Sequence, residues 1–228
     1  MKLAMDTQIW LPTQDQHFAH MKGGAASLLF YQQDRLVAAM KHVRNYSLAV
    51  DVGAHVGLLS RQLAICFDMV WAYEPNPAAF ECLRENTRSL TNVVRHSAAL
   101  GSTHKSVQMQ MDAENSGDTY VAVNATGPDL LNYQSDRTIP QRTLDSEMSA
   151  NVAPLGLLKI DVQGYEYEVL RGAEQTLRRW KPVVIVECEP GMPAQRFNIK
   201  DDAATNFLHS LGAKLGKRIN ADNIFYWE

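Results

Sequence analysis

Glycine and acidic residues follow three apolar runs of the sequence, and these positions are where we expect chemistry. The first is residues 51–57 (DVGAHVG), the second is Glu74 and the third is Asp161. Such runs are typical of buried parallel strands. Ligands of open α/β sheets bind beyond the carboxyl ends of these strands. The three positions therefore predict one shared site at the edge of a sheet.

The glycine turn and Glu74 together favour a nucleoside ligand. Gly53 and Gly57 allow a sharp turn, but His55 stands where the dinucleotide fingerprint G-x-G-x-x-G needs its central glycine. Glu74 lies about twenty residues further on, where an acid can accept hydrogen bonds from ribose hydroxyls. This combination favours S-adenosylmethionine over NAD. The alternatives are a tight turn without a ligand and an acid that interacts with the dipole of the next helix.

Two acids are candidates for catalysis. Asp161 ends an apolar run, so it can orient the amine of the cofactor or take a proton from an acceptor; taken alone, it can equally be a helix cap. Glu187 ends the next run and is a candidate catalytic or acceptor-binding acid. His55 and these two carboxylates have no diagnostic metal-ligand spacing, and we expect no metal.

Alternating strands and helices must position these residues. We predict strands at residues 48–52, 69–74, 93–94, 157–161, 182–187 and 224–227, and helices at 27–42, 57–66, 165–180 and 201–211. A further helix begins at Pro77 with Asn76 as its cap. Repeated βα units with right-handed crossovers give a mostly parallel sheet with helices on both faces.

The chain of 228 residues fits one large domain with an appendage. We expect an N-terminal segment and helix at residues 1–44, with Ser27 as the helix cap, and a main domain at 45–228. Residues 107–111 alternate with period two, which is typical of a half-exposed antiparallel strand. Residues 120–123 and 137–144 are also strand-like, so we interpret about 102–142 as a small β insertion.

Five blocks of sequence resemble the FkbM family of S-adenosylmethionine-dependent methyltransferases. They are residues 50–57, 73–77 (YEPNP), 98–101 (AALG), 142–145 (RTLD) and 158–173, which contains KIDVQGYE. The resemblance implies the class I methyltransferase fold, a Rossmann-like α/β fold with a mostly parallel seven-stranded sheet. It also implies O-methylation of a hydroxyl on a small molecule, sugar or glycan. Gln163 stands where the family often has Glu.

The resemblance, together with the turn and strand-end positions, assigns the cofactor to Asp51, Gly53, Ala54, His55, Val56, Gly57, Glu74, Pro75, Ser97, Ala98, Ala99 and Asp161. In family members a loop similar to residues 115–119 lies near the active site, so we expect Asn115 to contact substrate. The N-terminal segment lies outside the resemblance. It is either a surface tail, with Trp10 and Phe18 filling a groove, or a lid whose His17, Phe18 and His20 contact the acceptor.

Composition limits the other classes of function. The net charge of −3 disfavours binding to nucleic acid, and no apolar run is long enough to span a membrane. Three scattered cysteines and the absence of an apolar N-terminal signal predict a reducing, cytoplasmic location. An exposed N-terminal helix can pair two chains into a homodimer.

Three alternatives to a small-molecule methyltransferase stay open at this point. A nucleic-acid or nucleotide methyltransferase is disfavoured because neither an Asp/Asn-Pro-Pro-Tyr/Phe block nor a Pro-Cys nucleophile is present. An NAD(P)-dependent oxidoreductase is disfavoured by the missing central glycine. A non-catalytic module that binds a nucleoside cofactor is the third.

Overall fold

The computed structural model describes residues 1–4, 7–18, 25–110, 115–122, 138–149 and 153–228. The strands are β1 Lys2–Leu3, β2 Trp10–Leu11, β3 Leu48–Val52, β4 Met69–Tyr73, β5 Val93–His96, β6 Ala99–Leu100, β7 Lys105–Gln110, β8 Tyr120–Ala122, β9 Ile139–Arg142, β10 Leu155–Ile160, β11 Val183–Glu187, β12 Lys214–Ile219 and β13 Asp222–Tyr226. The α-helices are α1 Gln33–Met40, α2 Leu58–Cys66, α3 Pro77–Asn86, α4 Leu144–Ser149, α5 Glu166–Arg171, α6 Glu174–Trp180, α7 Met192–Phe197 and α8 Ala203–Ser210. Short 3-10 helices cover Ala25–Phe30 and Ser116–Asp118.

Seven strands form the main sheet in the order β12-β13-β11-β10-β3-β4-β5. β5, β4, β3, β10 and β11 pair in parallel. β13 pairs antiparallel with both β11 and β12, so it alone in this sheet runs against the others. The strand order reverses between β3 and β10, which are hydrogen-bonded neighbours. This arrangement confirms the predicted mostly parallel seven-stranded sheet and places a crevice at the β3–β10 boundary.

The interior of the sheet explains the apolar runs of the sequence. Every residue of β3 and β10 is buried. Within β10, Leu158 belongs to the core cluster on one face of the sheet and Leu157 to the cluster on the other. Successive side chains of a strand point to opposite faces, so a sheet covered by helices on both sides needs apolar residues at nearly every position.

A second sheet contains the described strands of residues 102–142 together with β6. Its order is β6-β9-β7-β8, and β7 and β8 confirm two of the predicted insertion strands. Of the third predicted strand, residues 137–144, residue 137 lies outside the described residues; β9 covers Ile139–Arg142, and α4 begins at Leu144.

Two predicted helices are interrupted. The helix predicted at 27–42 is a 3-10 helix followed by α1, because Gln32 adopts the left-handed conformation with φ 54°. Ser27 lies inside the 3-10 helix, so its prediction as a helix cap was wrong. The helix predicted at 165–180 is split into α5 and α6 at Gly172. A Cβ atom on Gly172 would overlap the backbone oxygen of Gly101, so a close backbone contact occupies the break.

Several predicted elements hold with small changes. α3 begins at Pro77, and the side chain of Asn76 accepts a hydrogen bond from the backbone N–H of Ala78, as predicted for a cap. The sequence did not predict α7 or β12. α7 is only six residues long, and β12 has six exposed or half-exposed residues with no apolar run. Among the described residues, we find no helix with the length and hydropathy needed to cross a bilayer.

Gly53, which follows β3, packs closely against the backbone of Asp161, which follows the neighbouring strand β10. Its φ is +72°, and a Cβ atom there would overlap the backbone oxygen of Asp161. Gly212 provides a matched comparison, because its φ is +87° but an added Cβ would have no atom within 4 Å.

We predict that Gly53→Ala lowers the free energy of unfolding by about 3 kcal/mol, from left-handed strain plus overlap. Gly212→Ala should cost only about 1 kcal/mol, from strain alone. Urea denaturation of both variants measures the difference. Equal losses would show that the Gly53 contact does not constrain the sheet.

Candidate functional site

A cleft of ≈ 980 Å³, its open mouth included, lies at the carboxyl ends of β3, β4, β10 and β11. The glycine turn after β3, the acids after β4 and β10, and the last residue of β11 all line it. The predicted site residues that line it are His17, Phe18, Gly53, Ala54, His55, Val56, Glu74, Pro75, Ala98, Ala99, Asp161 and Glu187. Most of the predicted set therefore converges on one cavity.

Four predicted residues lie elsewhere in the described chain. Asp51 is fully buried below the cleft, and Ser97 is exposed outside it. Gly57 is the N-cap of α2. Asn115 does not line the cleft but contacts His17: the Oδ1 of Asn115 lies 3.0 Å from the Nδ1 of His17. His20 lies outside the residues that the structure describes.

The turn after β3 is wound tightly around the end of β4. The backbone N–H groups of Gly53 and Ala54 both donate to the carbonyl of Tyr73. Gly53, His55 and Gly57 have φ values of 72°, 52° and 85°. A left-handed histidine costs on the order of 1–3 kcal/mol and persists only where the surroundings enforce it. The turn therefore holds His55 in one strained position at the cleft wall.

Glu74 is held by the backbone on both sides of its carboxylate. Its Oε2 accepts from the N–H of His55 at 2.8 Å, and its Oε1 accepts from the N–H of Asn76 at 2.7 Å. Burial raises its pKa to about 7, against these two backbone donors, which lower it. Each carboxylate oxygen has a second lone pair. Glu74 can therefore still accept hydrogen bonds from a ligand in the cleft.

A buried lysine lies under the cleft between two aspartates. The Nζ of Lys159 is 3.2 Å from Asp51 Oδ1 and 3.7 Å from Asp161 Oδ2. It also donates to the carbonyl oxygen of Gly53 at 2.7 Å. Burial favours the neutral amine, but Asp51 and Asp161 outweigh it and raise the pKa of Lys159. Sequence reasoning missed this residue, although a lysine inside the run LLKID is a signal of a buried ion pair.

Asp161 and Glu187 form a carboxyl pair with divided protonation. Burial acts to raise the pKa of Asp161, but Lys159 and the hydrogen bond from Glu187 lower it overall. Burial and the charge of Asp161 raise the pKa of Glu187 to about 10. Two close carboxyl groups cannot both ionise cheaply. At neutral pH, Asp161 is therefore the anion and Glu187 is the proton donor to it.

Gln163 bridges the two acids. Its Nε2 lies 3.2 Å from Asp161 Oδ1 and 3.3 Å from Glu187 Oε2. An ionised glutamate at this position would supply no donor and would add a second negative charge beside Asp161. The side chain that departs from the family pattern is therefore the one that ties the pair together. Its own φ of 60° is left-handed, so it too is held by its surroundings.

The N-terminal segment both packs on the main domain and reaches the cleft. The backbone N–H and C=O of Trp10 pair with the side chain of Asn86 at 2.6 and 2.9 Å. Further along, Phe18 stacks on the ring of His55 with centroids 5.4 Å apart. Tyr31 and Gln32 also line the cleft. No periodicity or motif in the sequence pointed to these last two residues.

The 3-10 turn at Ser116–Asp118 covers the cleft beside the N-terminal segment, because Ser116 hydrogen-bonds to Asp15. Asp118 accepts from Arg196 of α7 at 2.5 Å, and Thr119 accepts from Asn76 at 3.0 Å. Ser116, Gly117 and Thr119 line the cleft. Elements far apart in sequence therefore hold this turn over the site.

We predict that Glu187 makes stability fall as pH rises. Its folded-state pKa of about 10 lies above the ordinary value of 4.5. The stabilising proton is therefore fully present below about pH 4.5 and is lost as pH rises toward 10. Between pH 5 and 9, Glu187→Gln should gain stability relative to the wild type by up to about 1.4 kcal/mol per pH unit.

Urea denaturation at several pH values measures this difference. The matched control is Glu189→Gln, because Glu189 is exposed two residues away. A pH-independent difference between Glu187→Gln and the wild type would contradict the divided protonation of the pair.

Comparisons with known proteins identify relatives of this chain. Residues 51–215 match the profile of the family described as Methyltransferase FkbM domain. Hexuronic acid methyltransferase AglP of Haloferax volcanii is 26% identical over 165 residues, which are 71% of this chain and 64% of that protein. The chain thus spans less than two thirds of this relative's length.

Solved structures share the fold. The crystal structure of methyltransferase FkbM from Methylobacillus flagellatus has a TM-score of 0.53 at 16% identity and covers 87% of this chain and 53% of its own. A putative methyltransferase from Streptococcus mutans, solved in complex with SAH, has a TM-score of 0.51 at 12% identity and covers 85% and 94%. At these identities the likeness extends to the fold alone.

Proposed function

This chain belongs to the FkbM methyltransferase family, and we propose that it transfers the methyl group of S-adenosylmethionine to a hydroxyl on a small molecule, sugar or glycan. One observation carries the proposal: the carboxyl groups of Glu74 and Asp161 line the same cleft at the topological switch point. The name of the relative AglP, a hexuronic acid methyltransferase, supports a sugar acceptor.

The residues of the cleft fit the proposed cofactor. Glu74 keeps lone pairs for two ribose hydroxyls, and Pro75, Ala98 and Ala99 offer small apolar surfaces to a nucleobase. The lining combines apolar surfaces with a few polar side chains, as small-molecule and cofactor sites do. When bound, S-adenosylmethionine supplies an electrophilic methyl group on a sulfonium centre.

Asp161 is the base in this proposal. Lys159 holds its carboxylate ionised, so Asp161 can accept the proton that an acceptor hydroxyl releases. Glu187 keeps its own proton and, with Gln163, orients the carboxylate of Asp161 through hydrogen bonds. A base that is charged and aimed before the acceptor arrives needs little reorganisation.

The acceptor would lie between the carboxyl pair and the N-terminal segment. His17 and Phe18 line that side of the cleft, so they are the described residues that we assign to acceptor binding. Phe18 offers an apolar face and His17 a polar edge, a combination suited to a sugar ring. This supports the lid interpretation of the segment, and Trp10 anchors the segment to α3 through Asn86.

We predict that Glu74→Ala weakens binding of S-adenosylhomocysteine about 30-fold, because loss of charged hydrogen bonds to a hydroxyl pair costs about 2 kcal/mol. Isothermal titration calorimetry measures the affinity. Glu81→Ala is the control, since its side chain is 45% exposed on the outside of α3. Equal affinities in two folded variants would remove Glu74 from the cofactor site.

We predict that Asp161→Asn lowers methyl transfer about 100-fold while leaving the affinity for S-adenosylhomocysteine within a few-fold of the wild type. The assay supplies S-adenosylmethionine labelled with ¹³C in the methyl group to a panel of hexoses, hexuronic acids and oligosaccharides. The ¹³C shift of the product identifies an ether, an ester or an N-methyl group.

Asp68→Asn, an exposed change of the same kind, serves as the control for the Asp161 variant. An ester or N-methyl product would contradict transfer to a hydroxyl. Near-normal transfer by Asp161→Asn would contradict its role as the base and leave positioning alone to account for the rate.

A further inference from the structure

A chain of hydrogen bonds runs from Asp15 of the N-terminal segment through Ser116 of the 3-10 turn to His55 of the glycine turn. The Oγ of Ser116 donates to Asp15 Oδ2 at 2.7 Å. The Nε2 of His55 lies 2.6 Å from the same Oγ. Asp15 and Ser116 are both buried, although 101 residues separate them. A carboxylate buried in this way needs a structural reason.

Backbone contacts fix the orientation of the aspartate. Asp15 Oδ1 accepts from the N–H of His17 at 2.9 Å and from the N–H of Ser116 at 3.2 Å. Both groups can only donate, so Oδ1 must be an acceptor. The second oxygen, Oδ2, then faces the hydroxyl of Ser116.

Proton counting along this chain sets the tautomer of the histidine. Ser116 has a single hydroxyl proton, which goes to the carboxylate of Asp15. Its oxygen can therefore only accept from His55, so Nε2 of His55 carries a proton. Burial and the neighbouring His17 lower the pKa of His55 to about 3, so the ring is neutral and Nδ1 carries a lone pair.

Two neighbouring aromatic rings pack against the imidazole. Phe18 stacks on it with a centroid distance of 5.4 Å, and His17 meets it edge-on at 5.2 Å. Its backbone is left-handed, with a φ of 52°, and its N–H donates to Glu74. The position of the His55 ring thus depends on Phe18 and His17, whereas the position of its proton depends on Ser116 and Asp15.

We propose that Asp15, acting through Ser116, is a positioning residue that keeps the proton of His55 on Nε2 and so makes Nδ1 a permanent hydrogen-bond acceptor for a hydroxyl of the bound ligand. That hydroxyl belongs either to the ribose of the cofactor or to the methyl acceptor. The identity of the ligand rests on the proposed function, but the tautomer does not.

Nitrogen NMR tests the tautomer directly. In protein labelled with ¹⁵N-histidine, His55 should show the shift pattern of the neutral Nε2–H form, and His55→Asn assigns its signals. In Asp15→Asn, the two backbone donors keep the amide oxygen, so the amide NH₂ faces Ser116. The serine hydroxyl must then donate to His55 Nε2, and the proton should move to Nδ1.

Two functional measurements distinguish the source of the hydroxyl. If Nδ1 accepts from the cofactor, Asp15→Asn should weaken binding of S-adenosylhomocysteine about tenfold. If it accepts from the methyl acceptor, that affinity should hold and KM for the acceptor should rise about tenfold. Asp68→Asn is the matched control, since this aspartate is exposed.

The wild-type spectrum alone can overturn the proposal, if it shows an imidazolium or the Nδ1–H form. An unchanged tautomer in Asp15→Asn would also overturn it, as would a changed tautomer with no effect on either affinity. Should that variant fail to fold, Ser116→Ala cuts the same chain and should give a mixture of tautomers. A pure Nε2–H form in Ser116→Ala would show that Asp15 does not set the proton.

Discussion

The site depends on one buried charge, the ammonium group of Lys159, which lies between β3 and β10. Lys159 Nζ reaches Asp51 from β3 and Asp161 beyond β10, and its side chain is only 5% exposed. Breaking a buried ion pair by removing one partner costs about 3–5 kcal/mol, because a charge is left uncompensated. The parallel register places Lys159 directly opposite Asp51. The charge that holds the strands together is thus also the charge that ionises Asp161 and, through it, keeps Glu187 protonated.

Three left-handed residues that are not glycine converge on the same cleft. Gln32, His55 and Gln163 have φ values of 54°, 52° and 60° and come from three separate elements. Each costs on the order of 1–3 kcal/mol, so neighbouring contacts must enforce it. Gln163 is held by Arg196, which donates to its carbonyl oxygen at 3.0 Å. The other three described left-handed residues that are not glycine, Lys181, Asn198 and Asn220, lie at helix ends and in the β12–β13 turn. The three at the cleft lie where side chains have to be aimed, which is typical of functional sites.

The sequence predicted what periodicity and strand ends can encode. The buried parallel strands, the cap at Asn76 and the convergence of Glu74, Asp161 and Glu187 follow from apolar runs and from the geometry of open sheets. The interruption near Gln32 and the network of Asp15 and Ser116 could not be predicted in this way. Asp15 and Ser116 are 101 residues apart, and no local pattern records such a contact; at Gln32 the helical periodicity continues through the break. Lys159 was predictable in part. Its burial follows from the apolar run around it, but its pairing with Asp51 depends on the register between β10 and β3.

Long-range anchoring also sets an order of events during synthesis. Arg35 of α1 donates to Asp222 of β13 at 2.8 Å, across 187 residues of sequence. This ion pair between α1 and the main sheet therefore cannot form until β13 has left the ribosome. Contacts between residues so far apart in sequence form late, because the chain must lose the entropy of closing the loop before the contact can stabilise it. Trp10 can pair with Asn86 much earlier, so the N-terminal segment attaches to the main domain in stages, and α1 docks on β13 after the strands that precede β13 in sequence have been made.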